Sequence, residues 1–533
     1  MKRVFLQNNS GFSWNSSERC FVKGWFFDRS GIFYEDQQLQ DYFSDVDSFS
    51  DFEERIKYAN GCFSVVLKKD EELFIAVDKI RSFPLFYSRF EGTWIVSDNP
   101  HYIAEKAGLK EQNSLASIEF LATGYVTGNE TLLEGLRQVQ AGEIIHLKPD
   151  DLFFRNYYSY RITDVMDEDY DDLRRAGKLV LENAFNRMVK SLNGRTAIIP
   201  LSGGYDSRLI ASMLKRNGYE NVICFTYGRK ENKEIHVSEK VAKTLGYPWH
   251  YIEYNQELIQ DYLRDDTFKD YYRYASGLVS MFFMQEYFAV KYLKENNLIP
   301  NDSIFIPGHS GDFLGGSQLN KHGNLNLEED EDAIVDRIFD IKYCLKRPKG
   351  KDQDRIRERI RKNLQEKFTG EKALAYSIHE DWDFKEKLAK FNFNSVTTYT
   401  FFGYEFRLPF WDSEVLEFFR YLPLSAKVNK YLYDDILCNN FFEPYKLNFR
   451  KELQMKLSDL RKLKMKSQVK KVLPESVKRQ FVTSHDGLFY KEITREMRLD
   501  LQKKGIRIRL YGNSYNSLIT QWYMEMLKEY LRK

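Results

Sequence analysis

Cysteine is scarce in this chain of 533 residues. Cys20, Cys62, Cys224, Cys344 and Cys438 are odd in number, far apart and nowhere arranged as CxxC. That excludes a disulfide scaffold and a thiolate zinc site, and it points to a reducing, cytoplasmic setting. Proline is also rare: 12 residues, about 2% of the chain against a usual ~5%, which argues against long Pro-rich linkers. No run approaches the ~18 apolar residues of a membrane-spanning helix. The apolar stretch after Met1-Lys2-Arg3 stops at Gln7-Asn8-Asn9, too short for a signal-peptide core. An excess of one charge is missing too, since 80 basic residues offset 78 acidic ones to leave +2. Neither a membrane nor a nucleic acid held by overall charge is therefore an expected partner. What is present is a globular composition, 43% apolar and 30% charged, with 41 Phe, 35 Tyr and 7 Trp. It rules out wholesale disorder, favours thick cores and aromatic-lined pockets, and at this length predicts two to four domains.

Up to about residue 110 the chain reads as β-rich. Cys20–Phe27, Cys62–Leu67, Leu73–Val77 and Trp94–Val96 are short β-branched and aromatic runs, separated by turn formers such as Asp28-Arg29-Ser30-Gly31 and Glu91-Gly92. Ser114–Leu121 has helical spacing and ends near Gly124, and Glu143–Leu147 is a further strand. After about 165, helical segments alternate with short apolar strands, the pattern of βαβ units on a parallel sheet. From about 330 the chain reads as mostly helical. The fold class is thus α/β, with a β-rich sandwich over 1–160 and a parallel-sheet region over 165–533. From Tyr445 to Gln480 the sequence is basic, with Lys451, Lys456, Arg461 and Lys464 among leucines at helical spacing. The plain reading is an amphipathic helix with a solvated basic face. The sharper one is a docking face for an acidic partner, a nucleic acid or a polyanionic substrate.

One segment carries chemistry. Thr196–Leu201 is an apolar strand, Ser202-Gly203-Gly204-Tyr205-Asp206-Ser207 a small-residue loop, and Arg208–Leu214 an apolar-faced helix ending near Gly218. Glycines let the backbone approach an anion closely, and the helix start adds N–H donors and partial positive charge. A pyrophosphate fits such a cradle. No G-x-x-x-x-G-K-[ST] occurs, so this is not a Walker-type loop. Asp206 would sit at its mouth as a hard-cation ligand for Mg²⁺.

The SGGxDS pattern resembles that of the PP-loop ATP pyrophosphatases, which cleave ATP between the α- and β-phosphates. Further residues narrow the resemblance. Val222–Gly228 leads into a helix carrying Val241-Ala242 and Leu245-Gly246, similar to the stretch whose strand end holds adenine. Gly308-His309-Ser310-Gly311-Asp312 resembles the G-E-G-[AS]-D segment of asparagine synthetases, and Glu405-Phe406-Arg407-Leu408-Pro409-Phe410 resembles their E-x-R-[VL]-P-F. In the first half, Asn60-Gly61-Cys62-Phe63, Ala76-Val77-Asp78 and Pro84-Leu85-Phe86-Tyr87 are similar to landmarks of their glutaminase domain. Order and spacing match from about residue 55 to 415. The chain thus resembles the asparagine synthetase family, which includes β-lactam synthetases and lasso-peptide cyclases. The resemblance implies a glutaminase-like Ntn sandwich followed by a PP-loop synthetase domain.

It also implies roles. Leu201, Ser202, Gly203, Gly204 and Ser207 would hold pyrophosphate, Asp206 and Asp312 Mg²⁺, and Tyr227 and Gly308 would neighbour the adenine of ATP. His309 stands where the family has Glu or Tyr, and Glu405 would be its carboxylate partner in deprotonating the attacking amine. Two departures matter. Glutamine-hydrolysing members expose a Cys after Met removal, whereas position 2 here is Lys2; Asn60 and Gly61 would keep the oxyanion turn, but Cys20 and Cys62 are not N-terminal. The family's lysine near the acyl group is matched by Asp434, with Lys430 about a turn away as its replacement. The expected activity is ATP-dependent amide formation without glutamine hydrolysis. The acceptor carboxylate is a small molecule or peptide; nitrogen comes from ammonia, an amine or a separate glutaminase. The alternatives are a PP-loop RNA-modifying enzyme and a non-catalytic scaffold that kept the fold.

Overall fold

Between Val4 and Asn156 the short β-branched and aromatic runs pair into two sheets. Their strands are β1 (Val4–Phe5), β2 (Asn15–Ser16), β3 (Cys20–Phe27), β4 (Phe33–Glu35), β5 (Asn60–Lys69), β6 (Glu72–Val77), β7 (Phe86–Phe90), β8 (Thr93–Ser97), β9 (Arg137–Gln138), β10 (Glu143–Leu147) and β11 (Leu152–Asn156). This computed structural model describes residues 3–319, 330–365, 373–449, 486–508 and 514–532. One sheet runs β1-β8-β7-β9 and the other β11-β10-β6-β5-β3-β2, with β4 beside β3. Alternation along the strands sets the layers. Val66, Ile75, Val77, Ile145 and Leu147 face Val4, Tyr87 and Val96 of the first sheet. Their sequence neighbours Val65, Phe74, Ala76 and Ile144 turn the other way, onto Leu39, Phe43, Phe52 and Ile56 of the helices Asp36–Ser44 and Phe49–Tyr58. Beyond the first sheet, Phe86 and Ile95 share a core with Ile103 and Ala104 of the helix Pro100–Lys106. The layers are helix, sheet, sheet, helix.

A parallel sheet follows: β12 (Ala197–Pro200), β13 (Val222–Gly228), β14 (Trp249–Glu253), β15 (Ile304–Phe305) and β16 (Glu405–Phe406), in the order β14-β13-β12-β15-β16. Ala197, Ile198 and Ile199 are all buried, a continuous apolar run suited to a strand covered on both faces. The helices Tyr205–Arg216 and Lys233–Leu245 make the crossovers. From β12 the chain steps outward to β13 and β14, then returns to place β15 on the other side of β12. That reversal opens a crevice at the C-terminal ends of β12 and β15.

Beyond residue 330 the described chain is mostly helical, with Glu331–Lys342, Lys351–Gln365, Ala375–Trp382, Ser413–Arg420, Tyr490–Lys503 and Ser514–Arg532. Among the described residues no helix is long and apolar enough to cross a membrane. Lys2 and most of the basic 445–480 stretch, from residue 450 on, lie outside the described residues.

Side chains tie the sandwich to the synthetase region. Asn60 donates to Asp412 Oδ2 at 2.9 Å and accepts the Ser413 amide at 2.8 Å. Arg187 grips both oxygens of Asp412 at 2.7 Å. The oxyanion turn expected at Asn60-Gly61 is therefore absent: both residues are inside β5, paired with Phe27 and Phe26 of β3, and the Asn60 side chain is committed to the joint.

Candidate active site

The crevice holds a cavity of about 330 Å³, lined among others by Leu201, Ser202, Gly204, Asp206, Ser207, Tyr227, Gly308, His309, Asp312 and Lys430. These distant segments meet because the loops after β12 and β15 leave adjacent strand ends. The helix Tyr205–Arg216 starts on Gly204, which offers no side-chain cap. Its first N–H groups are left for an anion. Ser202 N donates to Ser207 Oγ at 3.1 Å, the two hydroxyls are 3.1 Å apart, and Gly204 N donates to Ser202 Oγ at 3.2 Å. Buried Arg208 pins the loop from behind, donating to Gly203 O at 3.0 Å and Leu447 O at 2.8 Å. Glycine is required where the two loops touch. A Cβ on Gly308 would fall 2.7 Å from Ser207 N, and one on Gly311 2.6 Å from Asp206 Cγ.

Asp206 Oδ2 accepts the Asp312 amide at 2.9 Å and its Oδ1 accepts the Tyr433 hydroxyl at 2.8 Å. Burial, and then the Asp312 carboxylate, push the Asp206 pKa up to about 7 against the pull of Lys430. Two carboxylates facing one small space are the donor set that a hard divalent cation relieves, and Mg²⁺ completes such a shell with phosphate oxygens and water. The residues present fit both Mg²⁺ and a pyrophosphate.

Lys430 does reach the cavity, by an uncommon backbone route: Asn429 and Lys430 both have positive φ, 60° and 59°. Left-handed conformations at two successive non-glycine residues are strained, and such strain concentrates at functional sites. The Lys430 ammonium lies 3.5 Å from Asp434 Oδ1 and over the Tyr433 ring. Asp434, at the family's lysine position, thus acts on Lys430 as its counter-charge.

His309 and Glu405 do not meet. Glu405 opens β16 and is in register with Ile304, which pairs with Ala197. It therefore sits at the N-terminal edge of the sheet, while the cradle begins at Leu201, about 13 Å further along at ~3.3 Å per residue. There Glu405 accepts from Arg195 at 2.6 Å and Arg407 at 2.9 Å. Burial raises its pKa, but Arg407 and Arg195 outweigh that and hold it below the usual carboxylate value. The sequence placed the E-x-R-L-P-F segment beside His309 without its register, and the register separates them. The partner of His309 is Ser395, whose Oγ lies 2.7 Å from Nε2 and also donates to Asn392 O at 2.8 Å. With that proton committed to Asn392, His309 donates through Nε2 and keeps its lone pair on Nδ1. Burial pushes its pKa down to about 4, against Asp312, so the imidazole is neutral.

Several residues of the site had no signal in the sequence. Glu286 lines the cavity and accepts from Tyr227 at 3.2 Å and from Tyr399. Burial pushes its pKa up to about 7, opposed by those two hydrogen bonds. Tyr433 and Ser395 were equally silent, one tyrosine among 35 and one serine in an apolar turn. Two thiols of the sandwich are held protonated by their environment: burial, then Asp41, raise Cys20 to about 12, and burial pushes Cys62 well above its usual range.

Short matches join this chain to 7-cyano-7-deazaguanine synthases. The one from Pseudomonas paraeruginosa is 39% identical over 56 residues, 10% of this chain and 25% of that protein. The one from Gloeothece citriformis is 38% identical over 61 residues, 11% and 26%. The chain thus spans about a quarter of the length of the curated relatives it matches. Among solved structures, the NH3-dependent NAD synthetase from Campylobacter jejuni is 18% identical, with 28% of this chain and 61% of that one covered at a TM-score of 0.19. The glutamine phosphoribosylpyrophosphate amidotransferase from B. subtilis is 10% identical, with 45% and 72% covered at 0.20. The family model for asparagine synthase matches residues 180–532. That span holds the whole cradle and more than half of the chain, so the chain belongs to the asparagine synthase family.

Proposed function

We propose that the protein is an ATP-dependent amide-forming ligase. A carboxylate oxygen of the substrate attacks the α-phosphorus of ATP and displaces pyrophosphate. An amine or ammonia nitrogen then attacks the activated acyl carbon, a proton leaves the nitrogen, and AMP departs. The observation that carries this reading is the pair of touching loops after β12 and β15, with the helix start at Gly204 and the carboxylates of Asp206 and Asp312 facing one cavity. Ser202, Gly203, Gly204 and Ser207 would bind the pyrophosphate, and Leu201, Tyr227 and Gly308 the nucleoside side. Asp206 and Asp312 would hold Mg²⁺, which supplies charge neutralisation at the phosphates. Lys430, beside them, would supply positive charge to the acyl phosphate group. His309, neutral and oriented by Ser395, offers Nδ1 to the amine proton; bound phosphate strengthens it as a base, because nearby negative charge raises a histidine pKa.

The burial of Cys20 and Cys62 supports a nitrogen source other than glutamine hydrolysed in the sandwich. The substrate is read as a small-molecule or peptide carboxylate, and the nitrogen donor as ammonia, an amine or a separate glutaminase. The deciding experiment is a pyrophosphate-release screen over amino acids, sugar acids and short peptides, each with ammonia or glutamine. Release that depends on one carboxylate and continues with ammonia alone is the expected result. No release with any acid, together with no ATP binding, would return the chain to a scaffold role.

A further inference from the structure

A second cavity, larger than the one just described, lies elsewhere. It measures about 450 Å³ and lies between the sandwich, which contributes Lys23, Arg81 and Phe83, and the synthetase region, which contributes Tyr274, Asn394 and Thr397. Its wall carries three buried cations, Lys23, Arg81 and Lys390, of which Lys390 is paired with Glu386. Lys23 is 3% exposed and Arg81 6%. Lys23 donates to the Asn8 carbonyl, and Arg81 Nε donates to Val139 O at 3.1 Å. Among the described residues neither forms an ion pair with a carboxylate.

The acids nearby have other partners. Asp98, on the same wall, accepts from the Gln7 amide at 2.9 Å, the Asn8 amide at 3.0 Å and Trp14 Nε1 at 2.7 Å. Asp78 accepts the amides of Phe63, Ile80 and Ser82. Glu386 is matched by Lys390 at 2.6 Å. Asp270 and Arg273 line the cavity but are exposed, and their charges are opposite. Asp98 acts on Lys23, and Glu386 and Asp78 on Arg81, from beyond ion-pair distance; a buried charge with no carboxylate in contact is still expensive, and proteins retain one where something else supplies the opposite sign. Burial already presses on both groups, lowering Lys23 to about 8 and Arg81 to about 10. Aromatic rings of Trp14, Phe83, Tyr274 and Phe401 complete the wall.

We infer that this cavity is a second ligand site, which takes a small organic anion with a carboxylate or phosphate head between Lys23 and Arg81 and an apolar body against the aromatic wall. It stands apart from the nucleotide cavity, and the inference does not rest on the proposed reaction. The two are nevertheless neighbours through one turn. Asn394, Val396 and Thr397 line the new site, while Ser395 between them holds His309.

The test uses the full chain without nucleotide, titrated with acetate, benzoate, phenyl phosphate and the neutral isostere benzamide. Binding is followed by calorimetry and by the thermal midpoint. Benzoate or phenyl phosphate is expected to bind saturably and raise the midpoint, and the tighter of the two identifies the head group. Benzamide should bind at least tenfold more weakly. Lys23→Met is expected to abolish the anion response while the free protein melts higher than wild type, since it replaces an unpaired buried charge with an apolar side chain. Arg81→Lys, which keeps the charge but shortens its reach, should retain a weakened response. The inference fails if no anion binds saturably, if benzamide binds as tightly as benzoate, or if Lys23→Met binds the anions as wild type does.

Discussion

The two edges of the parallel sheet are both rich in charge, and they use it in opposite ways. At the N-terminal edge the carboxylates around β16 have guanidinium partners. Glu405 pairs with Arg195 and Arg407, Glu35 lies 3.5 Å from Arg407, and Asp412 is gripped by Arg187. At the C-terminal edge carboxylates are crowded together: Asp206 beside Asp312, and Glu286 held only by tyrosine hydroxyls. The first arrangement is complete within the protein. The second is complete only when something positive, or a proton, arrives. Matched charge marks architecture here, and unmatched like charge marks the place where ligands are handled.

Four substitutions sharpen or break that contrast. The largest effect is expected from Asp206→Asn, which should lower substrate-dependent pyrophosphate release by ~10²–10³-fold, the scale of losing one preorganised electrostatic contact. Because it also relieves repulsion with Asp312, the thermal midpoint should hold or rise. A variant that releases pyrophosphate normally would show that the crowded edge is not the site. At the opposite edge, Glu405→Gln should leave turnover per folded molecule unchanged but destabilise by roughly 3 kcal/mol, since Arg195 and Arg407 lose their hydrogen-bonded carboxylate and are left with the more distant Glu35. Urea titration measures it, and lost activity at full stability would restore Glu405 to the chemistry.

His309→Ala tests the next step. Amide formation should fall ~10²-fold, the usual worth of a positioned acid–base group, while ATP–pyrophosphate exchange continues. Equal loss of both would make His309 a binding residue. The smallest effect concerns pH. Glu286 has a folded pKa near 7 against an ordinary 4.5, a shift that burial causes and two tyrosine hydrogen bonds resist. Its stabilising contribution is complete below pH ~4.5 and is lost as pH rises through 7. Between pH 5 and pH 7.5 wild type should therefore lose on the order of 2 kcal/mol that Glu286→Gln does not lose. Parallel stability profiles for the two proteins would exclude this.

The two loops that line the cavity were legible because their residues are consecutive. Ser202 to Ser207 and Gly308 to Asp312 each follow one strand, so local chemistry and position travel together. The strands of the sandwich were legible for the same reason: Cys20–Phe27 and Glu143–Leu147 have the bounds their composition implied. Glu405 was misplaced because register between parallel strands depends on contacts a hundred residues apart, and a motif does not state which end of its strand faces the ligand. Asn60 was misread likewise, its turn-like residue pair being embedded in a ladder. Glu286, Tyr433 and Ser395 were invisible because tertiary packing alone brings them to the cavity.

The joint at Asn60 also sets a timetable. Its partner Asp412 lies 352 residues downstream, and the last strand of the sandwich ends at Asn156, so at ~5–20 residues per second of synthesis the sandwich exists for roughly 10–50 s before that contact can form. During that interval Asn60 and Glu35 present bare polar groups to solvent on a surface destined for burial. The sandwich therefore matures in two stages, its sheets first and its inner face only when the last strand of the parallel sheet has been made. Placing a synonymous slow-codon tract between residues 160 and 412 would lengthen the first stage without altering the finished molecule.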